Sequence, residues 1–226
     1  MGQGLTPPTA ARGDESSKLG PSTFDLHTIG PEPVGATPIE EDELADLIPN
    51  FVATREDLNI AEYENIAKAI PDAFEQARRE GPQRVLRHEF LFNLHRRMFE
   101  DVWRWAGTQR RRITNIGIDP LQIPTQIKQT FDDAVFWHEN ETYSIDERAA
   151  RIHCRLVTIH PFPNGNGRCT RLVADLYLVS IDQPQFTWGT AAGRLDEDGV
   201  ARRVYIGALL EAVHEKYEPL IAFARS

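Results

Sequence analysis

The stretch HPFPNGNGRCTR, residues 160–171, lies between two apolar-periodic segments and restricts the fold more than any other part of the chain. Pro161 has no amide hydrogen and disfavours a helical conformation at His160, so a helix reaching this point has to stop. That helix starts at Ser144–Glu147, which reads as a capping box, and carries Ile152, Leu156, Val157 and Ile159. Helical periodicity resumes near Gly167 with Leu172, Ala174, Leu176, Leu178 and Val179. Two helices are thus expected around a turn crowded with one histidine, two glycines and two arginines.

The remaining periodic segments are also helical. Thr37, Pro38 and Glu40 favour a short helix ending near Leu47. Thr54 and Asp57 cap a helix with Leu58, Ala61, Ile66 and Ala69 on one face, and Pro71 is expected to stop it. A helix over 85–106 carries Phe90, Leu91, Leu94, Met98, Phe99 and Val102, with Gly107 as terminator. RRRITNIGIDP, residues 110–120, reads as a short hairpin or extended flap. Pro124 opens a helix to about His138, and a last one runs from about Gly199 to His214, extending toward Ala222 with a break near Pro219. These periods predict an all-α helical bundle with a short β-hairpin flap. Residues 1–38, rich in Gly, Pro and Ser, read as a flexible arm, and 39–226 as the domain.

Charge and cysteine content narrow the setting. The chain of 226 residues has 25 Lys and Arg against 34 Asp and Glu, a net charge of -9, which disfavours nucleic acid as a partner. Cys154 and Cys169 form no disulfide or metal-binding pattern. With neither an export signal nor a membrane span in the sequence, a cytoplasmic protein with no membrane partner is expected.

The turn has chemistry of its own. A helix N-terminus presents unpaired amides and a partial positive charge, and Gly165 and Gly167 let consecutive amides converge on one anion. Arg168 and Arg171 add rigid donors for phosphate oxygens. His160, with an ordinary pKa of about 6.5, is a neutral proton acceptor beside that seat. Phe162 is expected to turn into the core and lock the loop. Taken singly, His-Pro and Gly-Asn-Gly are more often ordinary structural turns. The spacing matches neither the P-loop nor the dinucleotide fingerprint.

HPFPNGNGRCTR resembles the Fic family signature His-Pro-Phe-x-acid-Gly-Asn-Gly-Arg-x-x-Arg, and LHRRMFEDVWRWAGTQRRRITNIGI resembles that family's helix, Trp-Ala-Gly turn and flap. The resemblance spans roughly residues 50–215 and is nearest to the subgroup labelled mobile mystery protein B. It implies a Fic-type bundle that transfers AMP from ATP to a Ser, Thr or Tyr hydroxyl of another protein. It makes His160 the general base and places Phe162, Asn164, Gly165, Asn166, Gly167, Arg168 and Arg171 in the nucleotide-binding loop. Thr114, Asn115, Ile116, Gly117 and Ile118 would dock the target by strand addition. Asn164 stands where the family usually has an acidic residue holding Mg2+, so the resemblance makes Asn164 a weaker metal ligand. The family's inhibitory helix ends in Glu-Gly or Glu-Asn, and Glu64-Asn65 within helix 55–70 implies that Glu64 pairs with Arg171 and restrains transfer.

The expected partners are a nucleoside triphosphate, a target protein at the flap and a second copy of the chain as a homodimer. Alternatives are a Fic-type enzyme using another phosphate-containing donor or removing AMP, a nucleotide-binding module weakened by Asn164, and a helical interaction protein. Arg110, Arg111 and Arg112 read as an attractor for a nucleotide, an acidic target or, against the net charge, nucleic acid, or as plain solvated charge at the flap base. His88, His95 and His153 lack a metal-ligand quartet and read as core or surface residues. Trp103, Trp105 and Trp137 read as core anchors. The loop 187–199 has the composition to lie near the nucleobase.

Overall fold

The computed structural model describes residues 1, 39, 41–190, 195 and 199–226. Apart from Met1, the expected arm lies outside the described residues, as do Thr37, Pro38, Glu40 and most of the loop at 191–198.

Helix α1, Glu41–Leu44, leads into an isolated antiparallel bridge between Leu47 and Trp103. Helix α2, Arg55–Glu80, begins as its sequence dictates: the Thr54 hydroxyl accepts the Asp57 amide at 3.1 Å, and Asp57 accepts the Thr54 amide at 2.9 Å. Pro71 does not end it. The ring removes one backbone donor, but Ala69, Ala73 and Ala77 are buried on either side, and that packing carries the helix through.

The single helix expected over 85–106 is divided. Helix α3, Pro82–Val85, precedes α4, His88–Phe99, after which the chain turns back through Trp103 and Ala106. A 3-10 turn, Pro120–Gln122, leads into α5, Ile123–Glu139; α6, Ile145–Ile159, and α7, Asn166–Val179, flank the turn at 160–165. Helices α8, Val200–Val213, and α9, Glu218–Ala224, close the bundle.

No strand forms among the described residues, so the β-hairpin expected over the flap is replaced by bends at 110–118. Polar groups there bond to the Arg110 side chain and to the end of α6 instead of to each other in a ladder. Helix α7 is buried on nearly all sides from Leu172 to Val179, with α6 along it and α2 and α4 across it. Each large apolar side chain removed from water there contributes about 1.5–3 kcal/mol, so the core fixes α7 rigidly and its N-terminus with it. Among the described residues no helix is long and apolar enough to cross a membrane.

Candidate active site

Helix α6 ends at His160, whose backbone is left-handed at φ 55 and ψ 62. Its amide still bonds Leu156 O at 3.1 Å, while Pro161 forbids another helical turn. The ring lies 3.1 Å through Nδ1 from Val157 O. A carbonyl only accepts, so Nδ1 carries the proton and Nε2 the lone pair. The side chain is 7% exposed. Burial chiefly, with the Arg110 charge assisting and the Val157 bond opposing, lowers its pKa to about 4. The imidazole is therefore neutral at physiological pH.

Two residues assigned to the nucleotide loop turn out to be its frame. Phe162 is fully buried and stacks on His95 with centroids 3.7 Å apart, so its side chain packs in the core and not on a ligand. Asn166 spans the turn, its Oδ1 accepting the Phe162 amide at 2.9 Å and its Nδ2 donating to Phe162 O at 2.8 Å. Its side-chain amide is spent on this staple, leaving only its backbone to face an anion. Gly165, at φ 77, is required: a Cβ there would lie 2.5 Å from Phe99 Cζ. Helix α7 starts after Gly165 with no side-chain cap, so its first amides, Gly167 among them, are presented at the rim.

His95 anchors the loop from below. It donates from Nε2 to Asn164 O at 3.0 Å and accepts the Gly107 amide on Nδ1 at 2.9 Å. Full burial pushes its pKa down to about 3, which keeps the ring neutral and this donor–acceptor pattern fixed.

Of the two arginines, Arg168 pairs with Glu62 at 2.6 Å, and Glu62 also accepts the Trp103 indole N–H at 2.7 Å. Arg171 places its guanidinium carbon 5.3 Å from the Tyr205 ring centre, and the Tyr205 hydroxyl lies 2.9 Å from His153 Nε2. Glu64 is exposed beside Lys68, on the far side of α2 from the site, so the expected Glu64–Arg171 pair is not made. Two residues turn a helix by about 200°, which puts Glu62 inside and Glu64 outside.

Asn164 turns its Oδ1 onto the Gly165 amide at 2.6 Å, and among the described residues no three His, Cys, Asp or Glu side chains gather as a metal set. A carboxylate-bound magnesium ion does not fit this donor set. In the flap, Thr114 Oγ1 donates to Ile116 O at 2.6 Å and Ile118 N to Ile159 O at 3.4 Å. Asn115 and Gly117 are exposed, as is Ile113 at 83%. The flap therefore lies beside the turn that follows α6.

Glu62 and His95 are not singled out as site residues by the sequence, and Arg110, read there with Arg111 and Arg112 as a ligand attractor or solvated charge, is instead buried. For Glu62 there was a signal: it follows Leu58 by four, on the same apolar stripe. A charged residue in such a stripe needs a buried partner.

The αL-ended helix, the uncapped N-terminus and the two arginines thus meet at one turn of a helical domain. Residues 85–178 match the Fic/DOC family model. Protein adenylyltransferase fic-1 of Caenorhabditis elegans is 42% identical over 82 residues, and its Caenorhabditis briggsae counterpart 35% over the same length. Each match covers 35% of this chain but 16% of the relative. Among solved structures, a Fic domain containing signaling protein from Bacteroides thetaiotaomicron superposes with a TM-score of 0.60 at 17% identity, covering 76% of this chain and 69% of that one. The Bartonella tribocorum BepC protein, solved with bound AMPPNP, gives 0.53 at 20% identity, covering 77% and 87%. These structures share the fold.

Proposed function

We propose that this chain is a protein adenylyltransferase moving AMP from ATP to a Ser, Thr or Tyr hydroxyl of a target protein. The observation that carries this reading is the pairing of His160 Nδ1–H with Val157 O at 3.1 Å, which makes Nε2 the basic nitrogen of a histidine on the turn that leads into the uncapped α7 N-terminus. In the reaction, the target hydroxyl passes its proton to Nε2 as its oxygen bonds the α-phosphorus. The bond from that phosphorus to the β-phosphate bridging oxygen breaks, and pyrophosphate leaves. The amides of the first α7 turn and the guanidiniums of Arg168 and Arg171 hold the phosphate charge. The flap at 114–118 presents the acceptor segment. Sequence likeness to fic-1 and the AMPPNP carried by BepC support a nucleotide as donor. ATP labelled on the α-phosphate should transfer label to an acceptor protein with the native chain and not with His160→Ala.

The Glu62–Arg168 pair favours a second state of the same enzyme. With Arg168 held by a buried carboxylate, the seat binds nucleotide but turns over slowly until that contact opens. Restraint of transfer then resides in Glu62 rather than Glu64, and nucleotide binding without label transfer would be its signature.

A further inference from the structure

Arg110 is 3% exposed, and no carboxylate holds its guanidinium by a hydrogen bond or ion pair among the described contacts. Its donors go to four backbone carbonyls: Nε to His160 O at 2.6 Å, Nη1 to Arg112 O at 2.6 Å, and Nη2 to Ile118 O at 2.5 Å and Ile159 O at 3.4 Å. Its own amide donates to Pro161 O at 2.9 Å. Burying a cation is costly unless its donors are satisfied, and the rigid guanidinium fork reaches several acceptors at once where an ammonium has a single centre. Two of the acceptors belong to the flap and two to the end of α6. The latter are last-turn carbonyls at the negative end of a helix, where a cation is favoured.

Gly117 shows how close this contact is. At φ 114, a Cβ on it would lie 2.5 Å from Arg110 Nη2, 2.7 Å from His160 Cβ and 3.2 Å from Ile159 O. Flap backbone therefore rests directly on the catalytic histidine, and the guanidinium binds the two together.

We propose that Arg110 is a positioning residue that clasps the acceptor-docking flap to the catalytic turn, so that acceptor placement and the aim of His160 are set as one unit. The inference rests on the transfer reading above. Arg110 touches neither the α7 N-terminus nor Arg168 or Arg171, so loosening it should spare the nucleotide seat.

Arg110→Lys keeps the charge and loses the fork. Expected is a fall of roughly tenfold to a hundredfold in kcat/KM for the acceptor, the range that slight misplacement of reacting groups produces. The ADP dissociation constant should stay within about twofold of native, a change below ~0.5 kcal/mol. Amide exchange should quicken at 112–118 and not in α7. Gly117→Ala, whose Cβ would push the flap off the turn by pressing on the Arg110 guanidinium and on His160 while residue 110 stays arginine, should give the same pattern and carries the test if Arg110→Lys fails to fold. Native-like acceptor kinetics in the folded variants, or ADP affinity falling in step with transfer, would overturn the clasp. If the native chain transfers no label, the transferase reading fails by itself; the clasp then stands or falls on whether exchange at 112–118 changes.

Discussion

Glu62 and Arg168 meet at 2.6 Å across the interface of α2 and α7, with the Glu62 carboxylate 4% exposed and its second oxygen on the Trp103 indole. A charge this deeply buried is tolerated because both oxygens are occupied, and it holds the Arg168 guanidinium in the first turn of α7. Helix α2 thereby reaches Arg168 through Glu62.

Glu62→Gln keeps an acceptor for Trp103 while removing the charge that holds Arg168. Label transfer should rise by about tenfold, equivalent to ~1.4 kcal/mol released to nucleotide phosphates. Glu64→Gly, on the solvent side of α2, should leave transfer at the native rate. Initial-rate assays of both variants check the assignment, and stimulation by Glu64→Gly alone would refute it.

How far the site was legible follows from where its determinants lie along the chain. His160, Gly165 and the α7 start are governed by neighbours within a few residues, so proline and glycine chemistry located them. Glu62 could only be told from Glu64 by helix phase, and a pattern ending in Glu-Asn pointed to the wrong face. Arg110 sits in a run of three arginines, and its burial follows from carbonyls some fifty residues later in α6. The helix expected to stop at Pro71 continues because tertiary packing outweighs one lost donor. The flap lacks its hairpin because its pairing partner is a side chain.

For the pH dependence of transfer, the base must be unprotonated. With the His160 pKa lowered to about 4, kcat/KM should stay level from neutral pH down to about pH 5 and fall as the pH passes through 4. Bound polyphosphate places negative charge by the ring and favours its protonated form. The acid limb of kcat should therefore lie at higher pH than that of kcat/KM. An acid limb of kcat/KM near the ordinary histidine value of about 6.5 would show that the ring is hydrated in the working enzyme.

Asn164→Asp restores a carboxylate while retaining an acceptor for the Gly165 amide, which Asn164 Oδ1 now takes at 2.6 Å. The loop should fold unchanged, and a hard cation gains an anionic ligand. The variant should transfer label faster with magnesium and lose that gain on chelation. Titration of native chain and variant with magnesium and EDTA measures the difference directly.

His95 joins Asn164 O to the Gly107 amide, so His95→Phe preserves the ring stacked on Phe162 but strands one partly buried acceptor and one partly buried donor. At ~1–3 kcal/mol for each fully buried unsatisfied group, two partly buried ones should cost about 2 kcal/mol or more in urea unfolding. ADP should also bind more weakly, because the turn preceding the anion seat is no longer tied down. A variant with native stability and native ADP affinity would mean that the two bonds are not formed in solution.

The same buried rings make folding a proton-linked event. His95 and His153 are lowered to about 3 and His160 to about 4, so each stays neutral in the folded chain where the unfolded chain is protonated. Their contribution to stability is complete above the unfolded histidine pKa of about 6.5 and is lost as pH falls toward the folded values. Asp175 acts oppositely: burial raises it to about 7 against hydrogen bonds from Trp188 and Phe186, so it loses a proton on unfolding between its ordinary value and 7. At about pH 5 the three histidines each take up one proton and Asp175 releases one, a net uptake of about two by these groups. Stability should accordingly decline from pH 7 to 5, with the steepest loss below the histidine value. Calorimetric unfolding in buffers of different ionisation enthalpy reads that uptake, and a value near zero would place these imidazoles in water.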